Sequence, residues 1–457
     1  MSMLSLEVTT SPHTMYEKPA ISAPLEFTDG VELHMLSPLD AIMGSMPLTI
    51  IYVFPPPKGE AFTYDVKRVQ AAFISTVEDD YPLFVGKLYV DSKSGAVGIV
   101  RRPEDRASNI RFLVDTSCEL SALQAIENPL TSFLPDRDIN TELLTMKATL
   151  LRDGGLVLGY NATHALLDGE GLFTFFSLWG MHYRGVPRGD RPIINHDRHL
   201  TAPRGVGSMM DHPEFVAPVK SHPEVGVPAQ HEPLPTTQKP FHLTPEQVER
   251  LKGEVSEGLA DGEYVSTVDV VTALFLILIT QARNHSQDVK ITSLVNARKR
   301  FNPPLPRNYA GNCIFSAHSH YTKEELTDVS FDSLRVISRR IRASILRQDD
   351  EFLRDSIEFI AQSETKWIET HVDVDNCYGN DLMFTSWTNM GMYDVNFGAG
   401  NTIYVGPPYM PQFDGLIIIM EAINNGTGLD VLPLLECKTM DKLSELWRNC
   451  ELLHVKQ

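Results

Sequence analysis

The sequence predicts a two-domain protein of mixed strands and helices, and three observations carry that prediction. With 457 residues, 42% of them hydrophobic, the chain exceeds what one hydrophobic core organises, which favours two domains of roughly 200 residues each. Stretches of strand length and stretches of helical periodicity alternate along both halves. Between them, residues 186–240 change character, with many prolines, several histidines and no sustained periodicity. This is the pattern of a long crossover linker joining residues 1–185 to residues 241–457.

In the first half, Leu36-Ser37-Pro38-Leu39-Asp40 closes an extended segment, and 47–54, rich in Ile, Tyr and Val, reads as a strand. Residues 65–77 carry Val66, Val69, Ala72, Phe73 and Val77 on one side, which predicts a helix ending before Tyr81-Pro82. Residues 83–90 and 96–100 predict a hairpin around Asp91-Ser92-Lys93-Ser94-Gly95. A second helix candidate and a strand over 143–151 lead to the apolar run Gly155-Leu156-Val157-Leu158-Gly159-Tyr160. Beyond it, Phe173, Phe175, Phe176, Leu178 and Trp179 recur at helical spacing.

The second half opens with a strand over 238–243 and a helix begun by Thr244-Pro245-Glu246, with Thr as N-cap and Pro at the first helical position. The longest apolar run, 270–280, is about half of the roughly 20 residues that a membrane span requires. Ser266, Thr267 and Asp269 supply N-cap chemistry before it, so it reads as a buried helix. Strands follow over 289–295, 382–387 and 416–420, with a terminal amphipathic helix over 443–453. Gly398 and Gly400 permit a close turn in between.

A net charge of −19 argues against a nucleic-acid surface, which wants a basic face. An anionic small ligand needs a local cluster instead, and Lys299, Arg300 and Arg307 beside Arg298 provide one. Five scattered cysteines, Cys118, Cys313, Cys377, Cys437 and Cys450, form no C-x-x-C pair and predict reduced thiols in a cytoplasmic protein. Residues 1–8 show no secretory signal. Of the linker histidines His196, His199, His212, His222 and His231, only the first two have ligand-like spacing, and they lack a third partner. His318 and His320 share a strand face on the same terms, so no metal is expected.

The stretch His164-Ala165-Leu166-Leu167-Asp168-Gly169 sits where a buried strand hands over to a helix, a common place for a site. A neutral imidazole there can take a proton from a hydroxyl or amine, so His164 is a candidate general base. Asp168 has a second reading as the cap of the following helix. Arg298 follows a strand directly and could reach a buried Asp168, which would need a partner.

Taken in order, several stretches resemble the BAHD acyltransferases, coenzyme A-dependent enzymes of specialised metabolism. They are Leu36-Ser37-Pro38-Leu39-Asp40, the segment 78–88, His164-x-x-x-Asp168-Gly169 with Phe175 and Trp179, and Ser266-Thr267-x-Asp269. Asn296-x-Arg298, 303–306 with Gly311-Asn312, and Thr385-Ser386-Trp387 continue the series. The resemblance implies an α/β fold of two similarly sized chloramphenicol-acetyltransferase-like domains, with mixed sheets and a channel between them. It implies transfer of an acyl group from acyl-CoA, as co-substrate without a permanently bound cofactor, to a hydroxyl or amine of a small molecule.

In that reading His164 is the base and Trp387 donates to the oxyanion of the tetrahedral intermediate. Asp168 faces away and pairs with Arg298, while Gly169, Asn396, Gly398 and Gly400 support the site. Ser37, Thr385 and Phe397 are expected in the acceptor or acyl pocket, and Lys299, Arg300 and Arg307 at the coenzyme A phosphates. The protein is expected to act as a monomer. One signature departs: the family's Asp-Phe-Gly-Trp-Gly is Asn396-Phe397-Gly398-Ala399-Gly400 here. A carrier-protein-dependent condensation enzyme usually has a second His before the catalytic one, where this chain has Thr163; a catalytically silent binding protein is the other alternative. The resemblance also implies that members acting on shikimate or quinate carry an Arg upstream of the Thr-Ser-Trp strand; residues 371–384 here contain no Arg or Lys but do contain Asp373, Asp375 and Asp381, which disfavours a carboxylate acceptor.

Overall fold

The computed structural model describes residues 20–454 apart from 23–28, 60–62, 128–129, 217–233, 285, 364–366, 368–370, 373–379, 410–412 and 424–425. Two large mixed sheets organise it. In the first, Pro47–Phe54 pairs antiparallel with Leu156–Thr163, which pairs antiparallel with Leu144–Leu150, and Phe112–Asp115 runs parallel to the last. The second, seven-stranded sheet is built on Val289–Asn296, antiparallel to Ile314–Tyr321 and parallel to Leu382–Ser386. Leu416–Glu421 and Leu429–Glu436 continue it. A small sheet holds the predicted hairpin, Lys87–Val90 against Val97–Arg101, with Glu32–Met35 on its other side.

Two buried helices anchor these sheets. Gly169–Arg184 is capped by Asp168 and closed by Gly185 at φ 72°, a left-handed conformation that glycine adopts without a Cβ clash. Its aromatic residues bury Phe173, Phe175, Phe176 and Trp179, and the Trp179 indole donates to the Val69 carbonyl at 2.9 Å. Apolar residues surround this helix because the strand face lies on one side and the helix Val66–Asp80 on another. In the second half, Thr267–Arg283 begins with a Ser266/Asp269 capping box and is buried from Asp269 to Thr280. Among the described residues, no helix is long and apolar enough to cross a membrane.

The two halves share a core: Ile418, Met420, Leu432 and Leu434 of the second sheet join Leu158 and Tyr160 of the first. They also exchange a strand. Tyr404–Gly406, far into the second half, pairs antiparallel with residues 51–53 as an edge of the first sheet.

Some expected elements end elsewhere. Residues 36–40 do not only close an extended segment: Ser37 caps the helix Pro38–Ile42. Residues 82–85 form a 3-10 turn before the strand at Lys87. The strand expected over 238–243 divides into Thr236–Gln238 and Phe241–Leu243, since Pro240 has no N–H for a ladder. The last helix runs Cys437–Arg448, earlier than its apolar spacing suggests.

The crossover between the halves, residues 186–240, is described over 186–216 and 234–240, and its first part is pinned to the rest of the molecule. Asn195 bridges to Tyr309, and Arg191 pairs with Asp79 and Asp80. His212 lies between Glu214 and Asp355 at 2.7 and 2.8 Å, and those two carboxylates raise the imidazole above its ordinary value despite burial. Prolines and polar residues hide such packing from a periodicity reading, because polar side chains and backbone groups make its contacts. Residues His222, His231, Cys377, Asp373 and Asp375 lie outside the described residues.

Candidate active site

His164 ends the strand Leu156–Thr163, and its backbone N–H is held by the Met46 carbonyl at 2.9 Å. The side chain is 9% exposed and lines a cavity of about 210 Å³ between the halves. Burial is the largest influence on the imidazole and holds it below its ordinary value of 6.5; Asp168, Asn312 and Asp40 only partly oppose this. The ring is therefore neutral at neutral pH.

Its tautomer follows from its neighbours. The Asn312 side-chain amide donates to Asp40 Oδ1 and to the His164 carbonyl, both at 2.9 Å. Those two acceptors orient the amide, leaving Asn312 Oδ1 facing His164 Nδ1 at 3.0 Å. Nδ1 must then carry the proton and donate. Nε2 keeps its lone pair, with no protein hydrogen bond among the described residues.

Asp168 is built for a different task. Arg298 Nη1 donates to its Oδ2 at 2.7 Å and Nη2 to its Oδ1 at 2.8 Å, a bidentate pair. Gly171 N–H and Cys313 N–H complete the carboxylate, both at 3.0 Å. Burial pushes the carboxyl up, but the Arg298 charge and these hydrogen bonds outweigh it and hold Asp168 below 3.8. Arg298 also reaches the carbonyls of Tyr309 and Gly311, so both its charge and its hydrogens are used. Both readings of Asp168, helix cap and ion-pair partner, are realised together.

The cavity wall is chiefly apolar, with Met43, Leu48, Ile50, Phe173, Leu294, Met383 and Phe413. Thr385 and Trp387 lie on it, as does Gly169. The Trp387 ring packs edge-on to Phe173 at 5.7 Å, and its Nε1–H has no partner among the described residues. Among the described residues the wall's acidic groups are Asp168, Glu170 and Asp414, and no Lys or Arg accompanies them there. Asp414 is paired with Arg283 at 2.9 Å.

Several expected pocket residues lie elsewhere. Ser37 is the cap of Pro38–Ile42 and donates to Asp40 Oδ2 at 2.8 Å, so it is not on the cavity wall. Phe397 is buried against Phe54, Trp179 and Tyr183, again away from the wall. Asn396 precedes it in the same turn: its Oδ1 accepts from Gly398 N–H at 2.7 Å and its carbonyl from Arg184. A Cβ at Gly180 would meet the Asn396 carbonyl at 2.8 Å, so the turn sits directly on the helix that follows Asp168. Gly398 and Gly400 have φ of 101° and 121°, which side chains resist.

The basic cluster is not on the cavity wall either. Lys299 and Arg307 are exposed, and Arg300 donates to the Gln348 carbonyl at 3.3 Å. A second, open groove of about 730 Å³ holds Lys252, Ser266 and Thr267 together with Thr388 and Asn389, which directly follow Trp387.

Sequence reasoning missed Asn312, Asp40 and Arg198 as site residues. Asn312 and Asp40 stand within motifs, yet lie 148 and 272 positions from their partners His164 and Asn312. Among the described residues, Asp79, Asp80 and His182 have ligand atoms close enough for a metal, but Arg188 and Arg191 already pair with the carboxylates.

Comparison with known proteins adds a family match. The Transferase family model matches residues 14–448. A hydroxycinnamoyltransferase of Narcissus pseudonarcissus is 25% identical over 426 residues, covering 90% of this chain and 94% of its own. Tryptamine benzoyltransferase 1 of Oryza sativa subsp. japonica is 26% identical, covering 85% and 86%. The crystal structure of F. graminearum TRI101 complexed with coenzyme A and deoxynivalenol superposes with a TM-score of 0.75 over 92% of this chain and 99% of that one, at 17% identity.

Proposed function

The chain belongs to the Transferase (BAHD) family, and from that premise we propose that it transfers an acyl group from acyl-CoA to a hydroxyl or amine of a small acceptor, with His164 as general base. The observation that carries the reading is a neutral imidazole, held in one tautomer, that lines an apolar cavity.

Nε2 takes the proton from the acceptor as its oxygen or nitrogen attacks the thioester carbonyl. The resulting tetrahedral intermediate collapses, the C–S bond breaks, and the proton passes from Nε2 to the leaving thiolate. Positioned base catalysis contributes about 10²–10⁴-fold. The Trp387 indole, donor-only and unpartnered at the wall, suits the oxyanion.

Asp168 takes no proton in this scheme. Its pair with Arg298 joins the His164 loop to the 309–313 loop and so fixes where the imidazole stands. Coenzyme A carries several phosphates, and the groove that joins Lys252 to the residues following Trp387 is the proposed place for them, with Glu249 the one opposing charge on its described lining. The chiefly apolar wall, whose carboxylates Asp168, Glu170 and Asp414 already face Arg298 and Arg283, favours an acceptor with a large apolar body.

The test is free-thiol release from acyl-CoA by purified protein across a panel of alcohols and amines, with product mass measured in parallel. Acceptor-dependent release supports the reading. Binding without turnover would mark a silent member, and turnover only with carrier-bound donors would mark a condensation-type enzyme.

A further inference from the structure

Arg198 stands on a short turn of the crossover, Arg198–Thr201, whose preceding Asp197 accepts the His199 N–H. The side chain is 9% exposed and reaches three separate pieces of the site. Its Nε lies 3.0 Å from Asp40 Oδ2, and Nη2 donates to the carbonyls of Leu166 and Ala310 at 3.2 and 3.3 Å. Leu166 is on the His164 loop, and Ala310 is on the loop that carries Asn312.

The crossover holds this guanidinium in place by contacts of its own. Asn195 exchanges backbone hydrogen bonds with residues 308 and 310, Thr201 Oγ1 lies 2.7 Å from the Tyr309 hydroxyl, and His196 Nε2 lies 2.7 Å from the Asp80 carbonyl. Asp40 has no exposed surface, and a buried carboxylate without a countercharge is costly.

We propose that Arg198 is a positioning residue: by pairing with Asp40 it orients Asn312, and through Asn312 it keeps His164 in the Nδ1–H tautomer that leaves Nε2 as the base. The inference rests on the acyl-transfer reading for its kinetic consequence, but not for its structural one. Asp40 Oδ1 accepts from both the backbone and side-chain N–H groups of Asn312, at 2.7 and 2.9 Å. That double contact makes the amide face one way. Turned over, the amide would present N–H to Nδ1, drive the proton to Nε2 and silence the base. The Asp40 oxygen that faces Asn312 accepts from it and so opposes that flip, and Arg198, 3.0 Å from the other oxygen, holds the side chain in line with Asn312. The crossover is thereby part of the catalytic arrangement although it contributes no reacting atom.

The experiment labels histidines with ¹⁵N and records two-bond ¹H–¹⁵N correlations at neutral pH, assigning His164 by comparison with His164→Gln. The wild type is expected to show a protonated Nδ1 and a bare Nε2. Arg198→Met should show mixed tautomers, and Arg198→Lys should restore the wild-type pattern. In parallel, kcat for acyl transfer should fall about 10–100-fold in Arg198→Met with both KM values within about twofold. In an Asn312→Ala background the same change should leave kcat where Asn312→Ala alone puts it.

A wild-type spectrum with the proton on Nε2 overturns the proposal, as does an Arg198→Met protein with an unchanged tautomer and kcat. Should Arg198→Met not fold, Arg198→Gln is read by the same two measurements. A protein with no transferase activity leaves the tautomer comparison intact, so failure of the functional reading and failure of this one are separate results.

Discussion

His164 and Asp168 stand four positions apart on one loop and are both deeply buried, 9% and 1% exposed, yet burial produces opposite chemistry at the two ends. At His164 no cation or carboxylate among the described residues touches the ring, so burial leaves it neutral with one nitrogen unbonded among those residues. At Asp168 an arginine and two backbone N–H groups saturate both oxygens, so the charge persists with nothing left to offer a substrate. The contrast teaches that hydrogen-bond satisfaction, rather than depth, decides whether a buried group keeps an atom free: on the proposed function that makes His164 the reactive end and Asp168 the architectural one.

The largest expected effect tests the reactive end. His164→Ala should lower kcat/KM for acyl transfer by about 10³-fold while circular dichroism and the unfolding midpoint stay near wild type. Substantial remaining turnover with saturating substrates would erase the contrast from that side.

The architectural end should respond in stability. Asp168→Asn or Arg298→Met leaves a buried partner exposed to the full desolvation cost, about 3–5 kcal/mol by urea titration. The double replacement should cost less than the sum of the two, and strict additivity would argue that the two side chains act apart.

The pH dependence separates the ends within one protein. His164 is held below 6.5, so its neutral form persists below that pH. The acid limb of kcat/KM should therefore lie under 6.5, with activity lost as pH falls through the lowered value. The unfolded state begins to take up this proton near 6.5, so the stability linked to His164 also declines from there down to its folded value. Asp168 is held below 3.8. The stability it contributes is full above that pH and is lost as pH falls through its own lowered value. Paired rate and denaturation series should place the acid limb of activity below 6.5 and the loss of the Asp168 contribution to folding below 3.8.

The smallest effect concerns the donor, where the same distinction between committed and free groups applies to cations. Lys252→Ala should raise the acyl-CoA KM about 3–10-fold with kcat held, and Lys299→Ala should change it less than about twofold. The reverse order would return the phosphates to the basic cluster beside Arg298.

By itself the sequence determined what local interactions decide. Contiguous apolar runs at 47–54 and 289–295 are strands, Ser266 and Thr244 cap helices, and the stretch from His164 to Gly169 is a strand-to-helix junction. An expected partner for a buried Asp168 was also legible in Arg298, because a carboxylate in a core demands a cation. The tertiary structure alone decided that Ser37 and Phe397 stand off the cavity wall, and that Asn312 meets the imidazole, Asp40 meets Asn312 and Arg198 meets Asp40. It alone carried Tyr404–Gly406 to the edge of the first sheet. The reason is range: periodicity and caps are settled within a few residues, whereas a contact across 148 or 272 positions depends on the path of the whole chain. Polar side chains that meet by that path leave no periodic trace, since their pattern is set by the partner they find and not by their own neighbours in sequence.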